Sequence, residues 1–139
     1  MKFYWKRVFD IGLDNGIIVK DVIREQLPRW IHYPFNMDYD YVDICYWRKW
    51  WGMRNKFLRT AYPNYKYDNC EFDMGAREIR IMRSILIDYL VHPSHWDNDY
   101  WEYNKYVRKG LIQQIWDLYM LEFWYKRHPD AKIIFYDSY

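Results

Sequence analysis

Apolar residues recur at helical spacing over three long stretches of the chain. The longest runs from Trp96 to Arg127, where Val107, Leu111, Ile112, Ile115, Leu118, Tyr119, Phe123 and Tyr125 share one arc and Gln113 and Asp117 lie opposite. Pro129 closes it, because proline cannot continue a helix and disfavours helix in the residue before it. A second stretch, about Gly75 to Val91, has Asp73 as its cap and His92-Pro93 as its stop. Ile79, Ile81, Met82, Ile85, Leu86, Tyr89 and Leu90 form its apolar arc, and a tight connection predicts antiparallel packing on the long helix. A third stretch, about Tyr39 to Ala61 with Asp38 or Asp40 as N-cap, gathers Trp47, Trp50, Trp51, Phe57, Leu58 and Ala61. Arg48, Gly52, Asn55 and Arg59 fall on its far side, with Lys49 and Lys56 on the shoulder.

The remaining segments are less regular. Phe9, Ile11 and Leu13 alternate like a strand before the turn signal Asp14-Asn15-Gly16. From Ile17 the spacing of Val19, Val22, Ile23 and Leu27 turns helical, so the same turn residues can equally cap a short helix that Pro28 ends. Residues 28–37 read as an aromatic loop and residues 64–73 as polar turns. Lys132 to Tyr136 is β-prone and suited to pairing with the N-terminal segment. The expected fold is therefore mainly α: one helical domain over residues 1–139, a bundle of three to four helices. A short two-stranded ribbon from the N- and C-terminal segments is the variant left open.

Composition sharpens this in one respect. Aromatic residues make up 23% of the 139, with 9 Trp and 16 Tyr, which implies a core built from rings. The alternative use of so many rings is an aromatic recognition surface. A net charge of +2 lacks the basic excess of a dedicated nucleic-acid binder, although local patches stay open. Cys45 and Cys70 show no CxxC spacing and read as reduced thiols. The N-terminal residues have no signal-peptide pattern, and no stretch approaches the ~20 apolar residues of a membrane span. A soluble, cytoplasmic protein with no membrane partner is expected.

The densest set of potential metal ligands is His92, His95, Asp97 and Asp99. Ser94, Asp97 and Asp99 have a simpler use as caps of the long helix, so neither metal nor cofactor is expected. His128-Pro129-Asp130 resembles the tripeptide of J-domain co-chaperones. In that family it lies between two helices, whereas Ile133 to Tyr136 here reads as a strand. Thr60, Ser84, Ser94 and Ser138 sit in no nucleophile elbow, and the five glycines form no phosphate loop. The expectation is that the chain is not an enzyme; a small metal-dependent enzyme on His92 and His95 is a remote alternative.

Tyr46 to Phe57 is the most informative segment. Tyr46-Trp47-Arg48-Lys49 is similar to a Tyr-Trp-Arg-Lys-Ala-Asn-x-Ile-His helix motif in uncharacterised small phage proteins, with Trp50-Trp51 in place of Ala-Asn and Arg54 in place of His. The resemblance implies a viral origin and an intracellular setting. With no catalytic motif, the expected role is a phage accessory factor that engages or inhibits a host protein, a host-defence function included. The alternative is a single-stranded nucleic acid or nucleotide binder that stacks bases on Tyr or Trp beside Arg and Lys. Candidate partner contacts are Arg48, Lys49, Lys56 and Arg59. Met120 and Trp124 join them because, with Leu121, they point away from the main arc of the long helix; residues 132–136 or the N-terminal segment are expected to cover part of them, and a partner or a second copy of the chain the remainder. Arg54 and Glu122 project into the apolar arcs of their helices, which predicts a buried ion pair of Arg54 with Glu122 first and Glu78 second; a surface pair of Glu122 with Lys126 is the rival.

Overall fold

The computed structural model of the chain describes residues 14–20, 41–48, 50–65, 70–92 and 105–138. In chain order these form strand β1 (Asp14–Lys20), strand β2 (Tyr41–Arg48), helix α1 (Trp51–Ala61), strand β3 (Glu71–Met74), helix α2 (Ala76–Val91), helix α3 (Lys105–Arg127) and strand β4 (Lys132–Ser138). The strands make one antiparallel sheet in the order β2-β1-β4-β3. The fold is thus α+β, not a mainly-α bundle, and the sheet is what helical periodicity alone concealed.

The central pair β1–β4 explains much of the concealment. It aligns without irregularity from Asp14↔Ser138 to Lys20↔Lys132. Asn15 to Val19 and Ile133 to Asp137 are all buried, since neighbours flank these strands on both sides and both faces are covered. A strand buried on both faces shows a continuous apolar run in place of alternation. Ile17-Ile18-Val19 accordingly belongs to a strand and not to the expected short helix, and Asp14-Asn15-Gly16 opens that strand instead of turning the chain. The expected ribbon of chain ends exists only as the centre of a larger sheet: the C-terminal segment pairs with residues 14–20.

In β2 the register slips, with Ile17 opposite Cys45 and Ile18 opposite Asp43. Ile44 is the extra residue of this bulge, which puts Ile44 and Cys45 into the same core cluster and breaks the period of two. The helix expected over Tyr39 to Ala61 therefore divides into β2 and the shorter α1, and Tyr46 to Arg48 of the phage-like motif lie on a strand. Asp73, expected to cap α2, is an exposed residue of β3; the N-cap is Gly75, whose amide is held by the Glu78 Oε1 at 2.7 Å. The body of α2 follows its periodicity, burying Ile79, Met82, Ile85, Leu86 and Tyr89. The expectations for residues 2–13, for the loop 28–37, for the caps at Asp38 and Asp40, and for Trp96 to Asn104 lie outside the described residues.

One large core joins the helices to one face of the sheet, through Ile17, Val19, Phe72, Met74, Ile133 and Phe135. Phe57 of α1 meets Phe135 at 4.8 Å between ring centroids, and Trp50 meets Tyr89 of α2 at 4.9 Å. Among the described residues, most rings are thus buried or half-buried. The opposite sheet face carries a second, smaller cluster of Ile18, Tyr41, Ile134 and Tyr136. There the Tyr136 ring lies across Gly16, close enough that a Cβ on Gly16 would come 2.6 Å from its Cε1. Glycine is required at that place by contact, not by backbone conformation.

Candidate functional site

Strand alternation puts Asn15 and Asp137 on the helix-covered face of the sheet, paired with one another across β1–β4. Asn15 Nδ2 donates to Asp137 Oδ1 at 2.7 Å. From α1, Arg54 reaches the same carboxylate: Nη2 donates to Oδ2 at 2.7 Å, and Nε to Oδ2 at 3.0 Å and Oδ1 at 3.1 Å. Arg54 Nη1 is occupied by Asn55 Oδ1 at 2.9 Å. Arg54 is 5% exposed, Asp137 2% and Asn15 0%, so no solute reaches this carboxylate. The arrangement is a clamp that fastens α1 to the end of β4. Sequence reasoning places Arg54 correctly in a buried arc that demands a carboxylate. It misassigns the partner, because Asp137 stands in a strand that was expected to end at Tyr136.

Glu122 is instead taken by α2. Arg80 Nη1 lies 3.0 Å from its Oε2, and Arg83 Nη1 bonds Oε1. Burial would raise the Glu122 carboxyl, but the hydrogen bonds from Arg83 and Arg80 outweigh it and hold the group below its ordinary value. This three-membered pairing sets the rotation of α3. With Glu122 turned to α2, the helix buries Leu111, Ile115, Asp117, Leu118, Leu121 and Trp124. Asp117, expected on the outside, is 1% exposed and accepts from Gln113 Nε2 at 3.0 Å. The edge of the sheet meets the same helix where Trp47 Nε1 donates to Gln114 Oε1 at 2.9 Å.

What this rotation leaves outside is an apolar stripe: Ile112 at 53% exposure, Trp116 at 51%, Tyr119 at 45% and Phe123 at 51%. Their spacing of four, three and four residues keeps them on one face. Two guanidiniums lie on its rings, Arg83 at 4.0 Å from the Tyr119 centroid and Arg127 at 4.7 Å from that of Phe123. Three of these four residues, Ile112, Tyr119 and Phe123, were expected in the core. The helix is apolar around most of its circumference, so periodicity could not say which side the fold would take. The signal that finds the stripe is the run Ile112-Trp116-Tyr119-Phe123, read together with the two acids that must be satisfied inside.

No family model, curated protein or solved structure matches the chain.

The described members of the contact set proposed from sequence, Lys56, Arg59, Met120 and Trp124, do not form one exposed patch. Trp124 is a core residue, stacked on His128 with centroids 4.4 Å apart, and Met120 is half-buried against the same core. Lys56 is drawn toward α2, with Nζ 3.5 Å from Asp88 Oδ2 and 5.3 Å from the Tyr89 centroid. Arg59 is exposed; Lys49 and the side chain of Arg48 lie outside the described residues. Of the His92 to Asp99 set only His92 is described, and it is exposed; among the described residues no three His, Cys, Asp or Glu side chains could hold a metal ion. His128-Pro129-Asp130 forms a turn from a helix into a strand, with His128 Nδ1 3.0 Å from the Trp124 carbonyl oxygen. That is not the helix–helix setting of the J-domain tripeptide. No described helix is long and apolar enough to cross a membrane.

Proposed function

We propose that the chain is a non-enzymatic binding protein that engages a partner protein through the outer face of α3. The observation that carries this reading is the stripe of Ile112, Trp116, Tyr119 and Phe123, four large apolar side chains each about half in solvent. Scattered apolar residues are ordinary on a surface, but a contiguous row of this kind marks a contact site. Tryptophan and tyrosine are also the residues that most often dominate binding energy at interfaces. The similarity of Tyr46 to Lys49 to small phage proteins supports a phage accessory factor acting on a host protein in the host cytoplasm. Nucleic-acid binding is favoured less: Ile112 offers no ring for a base, and one face of Tyr119 and of Phe123 already carries a guanidinium.

The test compares the parent with a Trp116→Ser/Phe123→Ser double variant in capture from nuclease-treated host lysate. Both side chains stand half in solvent, so the variant should melt with the parent while losing the captured protein. If the folded variant retains every protein that the parent captures, the reading fails.

A further inference from the structure

We infer that the occupant of the α3 stripe is an acidic amphipathic helix of a partner protein, a reading that rests on the docking role proposed above. The 4-3-4 spacing is that of the seam positions of a helix–helix contact, where one helix lays its apolar row along another. From Ile112 to Phe123 the row is about 16 Å long at ~1.5 Å per residue, enough for about three turns of a partner helix. Lysines bound it at both ends. Lys109 takes the position one repeat before Trp116, and Lys126 the position one repeat after Tyr119; both are exposed. Arg127 adds a third cation at the Phe123 end.

The exposed charge on the helices is of one sign. Among the described side chains of the three helices, every exposed charged residue is a cation; Lys56, Arg77 and Arg80 are paired with Asp88, Glu78 and Glu122, which leaves Lys109, Lys126 and Arg127 as the cations on the helix that carries the stripe. The helical carboxylates Glu78, Asp88, Asp117 and Glu122 are buried or half-buried. The exposed acids among the described residues, Asp73 and Asp130, lie on an edge strand and in a turn. A second copy is a poor occupant. Antiparallel pairing along the stripe sets Lys109 against Lys126, parallel pairing sets each lysine against itself, and among the described residues no exposed helical carboxylate answers either. A partner helix carrying Asp or Glu beside its apolar row meets the lysines at both ends and gains speed and register from the match.

The experiment titrates the full chain against two labelled helical peptides that share a leucine row. One carries Glu along the rim and the other Lys, and a single-stranded oligonucleotide serves as competitor. The Glu-rimmed peptide should bind at least about tenfold more tightly than the Lys-rimmed one, and more weakly as salt rises. Trp116→Ser should abolish binding of both, and Lys109→Glu/Lys126→Glu should reverse the preference. Equal binding of the two peptides, lost in Trp116→Ser, would overturn the acidic partner and leave the docking role standing. Binding of neither peptide, with Trp116→Ser indistinguishable from the parent in lysate capture, would remove both. Displacement by the oligonucleotide, or a dimer of the parent that Trp116→Ser dissolves, would assign the stripe to nucleic acid or to a second copy and overturn the inference.

Discussion

Arg54 holds Asp137 with two nitrogens of one guanidinium, Nη2 at 2.7 Å from Oδ2 and Nε at 3.0 Å from the same oxygen, across the buried interface of α1 and β4. Such a pair is worth little against a well-packed apolar replacement, yet breaking it leaves a buried charge without compensation. Arg54→Met and Asp137→Asn should each cost about 3–5 kcal/mol in urea unfolding, and the double variant far less than the sum. Additive costs in the double-mutant cycle would show that the two groups act independently.

Arg54→Lys tests the fork itself. A lysine has one nitrogen on a flexible stem and cannot donate from two, so the variant should recover only part of the loss seen with Arg54→Met. Full recovery in the same unfolding experiment would mean that charge alone suffices at this position.

Gly16→Ala places a methyl group against the Tyr136 ring, 2.6 Å from Cε1. Gly16 is in the centre of the sheet and Tyr136 is 0% exposed, so neither can yield without disturbing β1 or β4. Overpacking of this kind costs about 1–3 kcal/mol, read as a lowered melting temperature. The Cys45 carbonyl oxygen crowds the same position, so an unchanged melting temperature would show that both the ring and β2 have room to move.

The pairing of Glu122 with Arg80 and Arg83 makes stability depend on acid. The carboxyl is held below its ordinary value in the folded chain, so the unfolded chain binds its proton first as pH falls. The pairing therefore stabilises fully above the ordinary Glu range and is lost as pH drops through the lowered folded value. Glu122→Gln should be less stable than the parent at neutral pH, with the difference shrinking in acid. A difference that stays constant down the acid limb would contradict this.

The two thiols should behave differently. Burial, with Asp117 and Asp43 adding, pushes the Cys45 thiol up, and it sits at 3% exposure, while Cys70 is exposed. Alkylation at neutral pH should modify Cys70 and spare Cys45 until denaturant is added. Mass mapping of the labelled peptides decides the matter.

These particulars also show what was legible beforehand. Helix α2 announced itself because it lies between core and water, so its period survives in the sequence. Strand β1 did not, since burial on both faces erases alternation and Ile17 to Leu27 then satisfies a helical template as well. In β2 the bulge at Ile44 removed the same cue. Arg54 could be recognised as buried and needing an acid, for that follows from its own helix. Its partner depended on a sheet pairing between residues 15 and 137, which no local pattern encodes. The outer stripe of α3 was hidden for a related reason: an all-round apolar helix has its facing chosen by neighbours, here by Arg80 and Arg83.

The strand order carries a further consequence for how the chain reaches this state. β4 is the last of the four described strands to be synthesised, yet it lies between β1 and β3, and among the described residues β3 has no other strand partner. Until residues 132–138 arrive, the earlier elements can form a β1–β2 pair and helices but no closed core. Assembly therefore waits on contacts between distant parts of the chain, which slows it. A chain cut before Lys132 would lose the middle of the sheet and the acid that Arg54 needs, so incomplete products should collapse without a fixed interior and be open to proteolysis.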